Sequence, residues 1–115
     1  LLPPAILLCM LAGTGACATI EAATLIQDAR IKIDAARAAE AEKFAPFEDE
    51  SATQYYEKAR EENSEAHYQL ARTFALKARS FAEEAEVKAR DGRRASSAPA
   101  PMLPPTAPPV KKNSR

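Results

Sequence analysis

Residues 18–91 contain no glycine and only one proline, Pro46, while Ala, Glu, Lys and Arg are abundant among them. These four residue types are among the strongest helix formers, whereas Gly and Pro are the strongest helix breakers. The sequence therefore predicts an all-α fold. An interruption is expected at Pro46, because proline disfavours helical geometry in the residue before it, here Ala45.

The first predicted helix covers residues 19–43. Its apolar residues recur at spacings of three and four, which places them on one face of a helix. They are Ala22, Ile26, Ala29, Ile33 and Ala36. The second helix begins after Pro46, a residue suited to a first helical turn. Glu48, Asp49 and Glu50 then lie at the positive end of its dipole.

Asn63 and Ser64 mark a predicted break between the second and third helices. Asn tolerates left-handed backbone and Ser is a good N-cap, although an apolar stripe continues through this point in register. An unbroken helix over 47–91 would be about 67 Å long, against about 37 Å for the first helix. An antiparallel helix of that length would overshoot the first helix by about 30 Å. A break near Asn63 and Ser64 avoids this overshoot and favours a small, Ala-rich, antiparallel three-helix bundle, and a long helical hairpin is the alternative. Asp91 and Gly92 are predicted to end the last helix, with Gly92 at the C′ position.

The predicted core consists of large apolar side chains, with alanine filling the gaps between them. Its members are Ile26, Ile33, Phe44, Phe47, Tyr56, Leu70, Phe74 and Phe81. Alanine lets helices approach closely but buries little area per residue, so we expect modest stability and a tendency to form homo-oligomers. Three intrahelical ion pairs at i,i+4 spacing are also predicted. They are Asp28–Lys32, Glu84–Lys88 and Glu86–Arg90.

The first 16 residues carry no charge and end in a run of small residues ahead of Cys17. Their apolar run, Ala5–Ala12, is shorter than the roughly 20 residues that a membrane-spanning helix needs, and its length suits the h-region of a signal peptide. We therefore predict a lipoprotein-type signal peptide over 1–16 and lipidation of Cys17. An ordinary secretory signal cut near Ala16 or Ala18, or a membrane anchor, is the alternative.

The formal net charge is zero, but acidic and basic residues are unevenly distributed along the chain. Residues 21–92 carry 11 basic and 16 acidic side chains, whereas residues 93–115 carry five basic and no acidic ones. The second segment is Pro-rich and is predicted to be a disordered tail or polyproline II spacer. We expect its cations to contact anionic lipid headgroups or cell-wall polymer, or to keep the tail soluble. The acidic body and the predicted export argue against nucleic acid as a partner.

Residues that suggest chemistry are sparse. His67, the one histidine, lacks a recognisable nucleophile and orienting partner and is predicted to lie on the polar face of the third helix. The acidic clusters at 48–50 and 61–62 lack the Glu-x-x-His spacing of di-metal bundles and the pattern of a calcium loop, so we interpret them as solvated charge. We predict no catalytic residue, no metal ligand and no cofactor, and hence no enzyme.

Aromatic residues at helical spacing raise the hypothesis of a stacking platform. They are Tyr55, Tyr56, Tyr68, Phe74 and Phe81. A stripe of this kind is more typical of a helix core than of a ligand site. We therefore interpret these residues as part of the core.

Spaced alanines and an Ala-Pro turn run through the middle of the chain. The residues concerned are Ala29-Arg30, Ile33, Ala36-Arg37, Phe44-Ala45-Pro46, Ala59, Ala66, Leu70-Ala71, Ala78 and Ala85. Over about residues 20–92 this pattern resembles a family of Ala-rich bacterial lipoproteins, the domain of unknown function 4398. That family usually has a Gly-Asp-Tyr-like break where this chain has Asn63-Ser64-Glu65. The resemblance implies a helical fold and an envelope location, and it carries over no functional residue.

These features predict three parts: a signal peptide over 1–16, a lipid-anchored helical domain over 17–92 and the basic tail over 93–115. Ala18 stands where inner-membrane lipoproteins carry Asp, which implies the outer membrane, facing the periplasm. The expected protein is a cell-envelope lipoprotein with a structural or protein-interaction role. Its expected partners are the membrane, through the lipid, and peptidoglycan or other envelope proteins. The alternative is a soluble periplasmic binding or chaperone-like module.

Overall fold

Three long helices and one short helix make up residues 16–102, the part of the chain that the computed structural model describes. α1 spans Ala16–Ala38, α2 spans Ala41–Phe44, α3 spans Pro46–Ser64 and α4 spans Tyr68–Ser97. The prediction of an all-α fold is confirmed. Residues 1–15 of the predicted signal peptide and residues 103–115 of the predicted tail lie outside the described residues.

The chain folds as three helices rather than as a two-helix hairpin. α4 packs along both α1 and α3, and α1 and α3 also contact each other. α3 runs antiparallel to its neighbours, because short connections join it to the helices before and after it. α1 and α4 therefore run parallel to each other, and α4 forms the centre of the packing.

Two turns contain a non-glycine residue in left-handed backbone. Glu40, with φ 69°, separates α1 from the single turn of α2, and this extra break was not predicted. Ala66, with φ 62°, lies between α3 and α4. The predicted break in this region is confirmed, although α3 includes Ser64 and the turn follows at 65–67. Pro46 occupies the first turn of α3, as its fixed φ favours.

Alanine, rather than large side chains, forms the buried core of the described residues. α4 buries an alanine at alternating spacings of four and three along its length. These residues are Ala71, Ala75, Ala78, Ala82, Ala85 and Ala89. The facing helices bury alanines at seven-residue spacing, namely Ala22, Ala29 and Ala36 before Glu40, and Ala45, Ala52 and Ala59 after it. A seven-residue repeat keeps one seam facing its partner, and methyl groups along that seam let the backbones approach closely.

The predicted core of large side chains is wrong for two of its eight members, and only one member is fully part of the buried core. Ile33 is buried, with 3% of its surface exposed, whereas Leu70 is 49% exposed and Phe47 is 70% exposed. The remaining predicted members are half-buried at the edges of the alanine seams. They are Ile26, Phe44, Tyr56, Phe74 and Phe81. Apart from Ile33, the closely packed alanine seams leave these larger groups at their edges.

Gly92 lies inside α4, and the prediction that it ends the helix is wrong. The helix continues to Ser97, so residues 93–97 of the predicted tail are helical. A Cβ atom added at Gly92 would lie 2.8 Å from Cδ1 and 3.0 Å from Cβ of Phe44. Phe44 packs against a cluster of buried alanines from α1, α2 and α4. Glycine is therefore required here for close approach, which no local sequence signal reports.

The Gly92–Phe44 contact makes the effect of an alanine substitution depend on its neighbour. The higher helix propensity of alanine would by itself raise the free energy of unfolding of Gly92→Ala by about 1 kcal/mol. Overpacking against Phe44 would lower it by roughly 1–3 kcal/mol. We expect Gly92→Ala to lower the free energy of unfolding by about 1 kcal/mol in the native chain and to have a smaller cost in a Phe44→Ala background, because alanine removes the ring but keeps the Cβ atom that would lie 3.0 Å away. Urea denaturation of the four proteins measures both values. Equal stabilisation in the two backgrounds would contradict the contact.

Candidate functional site

Cys17, the predicted lipidation site, lies exposed in the first turn of α1. The next residue, Ala18, lines a surface depression together with Tyr68 and Leu70 of α4. The starts of α1 and α4 therefore share one end of the bundle with the 65–67 turn, and we call this end the base. Ser97 lies at the opposite end, because α4 runs parallel to α1. Lipidation of Cys17 itself stays a prediction.

Three ion pairs hold α1 and α4 in parallel register. Arg72 contacts Glu21 at 2.9 Å, Arg79 contacts Asp28 at 3.0 Å, and Lys32 contacts Glu83 at 3.6 Å. The residue numbers differ by 51 in every pair, so the two helices stay in step along their length. Asp28 and Lys32 thus bind across the interface, and their predicted pairing with each other is wrong. The other two predicted pairs are confirmed, Glu84–Lys88 at 2.9 Å and Glu86–Arg90.

The acidic cluster at the start of α3 is partly buried, so its interpretation as solvated charge is wrong for two of its three residues. Glu48 is 8% exposed and Asp49 is 7% exposed. Glu48 accepts a hydrogen bond from Lys88 of α4, which lowers the pKa of that carboxyl. Asp49 pairs with Arg37 of α1 at 3.3 Å. These carboxylates therefore connect the three long helices at the end opposite the base.

A second set of charges gathers at the turn between α3 and α4. His67 precedes the first residue of α4, so its predicted place on the polar face of that helix is wrong. Its Nδ1 atom lies 2.9 Å from a carboxylate oxygen of Glu62 and 3.5 Å from one of Glu65. Lys58 approaches the other oxygen of Glu62 at 3.2 Å. Glu62 is buried between these groups, with 8% of its surface exposed.

The turn cluster has donor atoms of the kind that bind divalent metals. One atom each from Glu62, Glu65 and His67 lies within 4.8 Å of the others, and imidazole and carboxylate are both zinc ligands. The ammonium of Lys58, however, already occupies one side of Glu62. Ion pairing inside the cluster accounts for its geometry, and we interpret it as a clamp that fixes the turn.

Protonation of Glu62 is expected to loosen this clamp. The pKa of Glu62 is lowered, first by its hydrogen bond with His67 and then by that with Lys58. A carboxyl with a lowered folded-state pKa stabilises the protein above its unfolded-state pKa and loses that effect as the pH falls through the folded-state value. The free energy of unfolding should therefore hold between pH 7 and 5 and fall below pH 4.5, the ordinary value for this group.

Urea denaturation at a series of pH values tests this expectation with a matched pair of variants. Glu62→Gln should reduce the number of protons taken up on unfolding by up to about one. Glu57→Gln changes an exposed glutamate of the same helix, whose side chain is 60% exposed, and should leave proton uptake closer to that of the native chain. Identical acid profiles for all three proteins would argue against the clamp.

Four aromatic rings form a row along the seam between α3 and α4. Tyr55 stacks on Phe74 at 6.1 Å and on Phe81 at 5.5 Å between ring centroids, and Phe47 meets Phe81 edge-on at 6.4 Å. Lys77 lies 5.3 Å above the ring of Tyr55. We call Phe47, Tyr55, Phe74 and Phe81 the aromatic row.

The aromatic row contains only part of the set of aromatic residues recognised in the sequence. Tyr56 faces the other side of α3, where Arg30 and Arg60 lie 6.0 and 5.8 Å from its ring centroid. Tyr68 lies at the base. Phe47 was assigned to the core, yet it is the most exposed member of the row. Its contact with Phe81 of α4 places it at the end of the row, and no local sequence pattern indicates this.

None of the helices within residues 16–102 combines the length and the apolar character needed to cross a bilayer. A sequence model of one protein family, described as the domain of unknown function DUF4398, matches residues 24–105. Comparisons with curated proteins and with solved structures give no match.

Proposed function

The chain belongs to the DUF4398 family, and from this premise we propose that it is a lipid-anchored protein of the bacterial cell envelope with a structural or protein-interaction role. The observation that carries the proposal is the position of Cys17. It follows an uncharged segment that ends in small residues, and its side chain is exposed at the start of α1. A thiol placed there is accessible to an acylating enzyme.

Acylation of Cys17 would orient the bundle on the membrane. The base would face the lipid, and α1 would rise from it. The end that carries Ser97 would point away from the membrane, with α4 reaching about 45 Å along its axis. We propose the outer membrane as the location, with the bundle facing the periplasm, and peptidoglycan or other envelope proteins as partners. Formation of homo-oligomers stays a prediction.

The proposed role is non-catalytic. Ion pairs outside the turn cluster link α1 with α3 and α4. Interhelical pairs of this kind fix register, which suits a rod that presents its surfaces to partners.

Mass spectrometry of the native protein purified from membranes tests the proposal. We expect an N-terminal peptide that begins at Cys17 and carries a diacylglycerol group with fatty acyl chains. An inhibitor of the lipoprotein signal peptidase should cause the precursor to accumulate. A mature N-terminus at another residue, or a Cys17 without acyl chains, would overturn the proposal.

Exposed apolar residues favour a second candidate, a soluble periplasmic module that holds partner helices. Ile20 is 67% exposed and Ile31 is 56% exposed on the outer face of α1. This candidate predicts release of the protein by osmotic shock, whereas the lipid-anchored form stays with the membranes.

A further inference from the structure

The aromatic row is an apolar surface that the described helices leave partly uncovered. Phe47 is 70% exposed, and Tyr55, Phe74 and Phe81 are half-buried. Stacked rings in a line present a ridged surface suited to an extended ligand. Extended Pro-rich segments in polyproline II conformation bind surfaces of this kind, because their shape is preformed and little entropy is lost on docking.

The chain carries such a segment close to the row. Ala98 leaves α4 in extended conformation, with φ −64° and ψ 138°, and two Pro-Pro pairs follow at 104–105 and 108–109. In polyproline II conformation, Pro104 and Pro109 lie at most about 22 and 37 Å from Ser97.

The row lies within that reach. Counted down α4 from Ser97, Phe81 is about 24 Å away and Phe74 about 35 Å away. Two residues are needed to reverse the direction of the chain. The remaining residues still carry Pro109 to about 31 Å from Ser97, past the level of Phe81. The segment Pro104–Pro109 therefore extends across the level of Phe81.

Charge complementarity favours the same direction of docking. Lys111 and Lys112 follow the second proline pair and, after the same two-residue reversal, reach about 37 and 40 Å from Ser97. The start of α4 lies about 44 Å down the helix, beside the turn that holds Glu62 and Glu65. The Cα atoms of the two lysines thus come within about 7 Å of this level, and their extended side chains point the charges toward the acidic end of α3.

We propose that the segment Pro104–Pro109 docks on the aromatic row of its own chain, and that Lys111 and Lys112 pair with the exposed carboxylate of Glu65 in the turn cluster. The docked tail covers the α3–α4 seam and keeps its cations from other anionic partners. The contact does not depend on acylation of Cys17, so it is tested separately from the proposed function.

Tryptophan fluorescence tests the contact, because the chain contains no tryptophan. In full-length Phe47→Trp, the indole should be shielded from acrylamide, with a quenching constant at least about twofold lower than when the tail is released. Release is produced by replacing the four prolines at 104, 105, 108 and 109 with serine. Lys111→Glu combined with Lys112→Glu should release the tail in part and remove the salt dependence of the shielding.

Leu76→Trp provides the matched control, since residue 76 is 45% exposed and lies one turn after Arg72, which contacts Glu21 of α1. Its quenching should be the same with the native and the serine-substituted tail. Equal quenching of Phe47→Trp with both tails would overturn the proposal. Shielding that disappears on dilution would also overturn it, because the occupant would then be the tail of a second copy.

Discussion

A leucine in place of Ala82 is expected to destabilise the bundle by about 3 kcal/mol, at the upper end of the cost of overpacking a core. Ala82 has no exposed surface and packs in one layer with Ile33 of α1 and Ala52 of α3. A leucine side chain adds three carbon atoms where all three helices meet, so it has no direction in which to move. The helices must separate or the side chain must leave its preferred rotamers.

Far-UV circular dichroism during urea denaturation measures this loss, and Ser80→Leu is its control. Ser80 lies two residues away on the exposed face of α4, and leucine there should change the free energy of unfolding by less than about 0.5 kcal/mol. Because a domain of this size is only modestly stable, Ala82→Leu should be largely unfolded at temperatures where Ser80→Leu remains folded. A cost below about 1 kcal/mol for Ala82→Leu would show that the seam is loosely packed.

Helix positions were predictable from the sequence because local chemistry decides them. Pro46 determines where α3 begins, and the polar residues around Asn63 and Ser64 mark the next turn. Gly92 misled the prediction, since its role depends on Phe44, which is distant in sequence. The left-handed Glu40 was missed for a related reason, because Glu carries no preference for that backbone conformation.

The buried core consists mainly of alanine, whereas the prediction gave more weight to the hydrophobic area of each side chain than to the spacing of the small residues. Phe47 and Leu70 have the area to form a core, but the seven-residue repeat of Ala71, Ala78 and Ala85 decides how closely the helices pack. Apart from Ile33, the large apolar side chains then lie at the edges of the seams. A heptad count of alanines, rather than a count of large apolar residues, would have found the seam.

The acidic residues show what a single helix cannot reveal. Glu48 and Glu62 are spaced as surface charges are, yet both are buried, Glu48 beside Lys88 of α4 and Glu62 beside His67 of the following turn. Asp28 and Lys32 are separated by one helical turn and yet pair with α4. An i,i+4 spacing allows an ion pair within one helix. Whether a partner on a neighbouring helix is preferred depends on the packing of the helices, which the sequence does not show.

Removal of the acylation site is expected to move the protein from the membrane to the soluble fraction. A single acyl chain gives a membrane partition constant of about 10⁴ M⁻¹, and two chains give stable anchoring. A diacylglycerol on Cys17 would therefore keep essentially all of the protein on the membrane. Cys17→Ser alone is an ambiguous test, because an uncleaved apolar segment would itself hold the chain at the bilayer.

The informative variant replaces residues 1–16 with an ordinary cleavable secretory signal and carries serine at position 17. Its matched control has the same exchanged signal in a form that is not cleaved, and it should stay with the membranes. Fractionation after osmotic shock should then place the cleaved variant in the soluble fraction and the native chain in the membrane fraction. If the native chain is also soluble, the exposed faces of α1 and the aromatic row, rather than a lipid, must provide its contacts in the envelope.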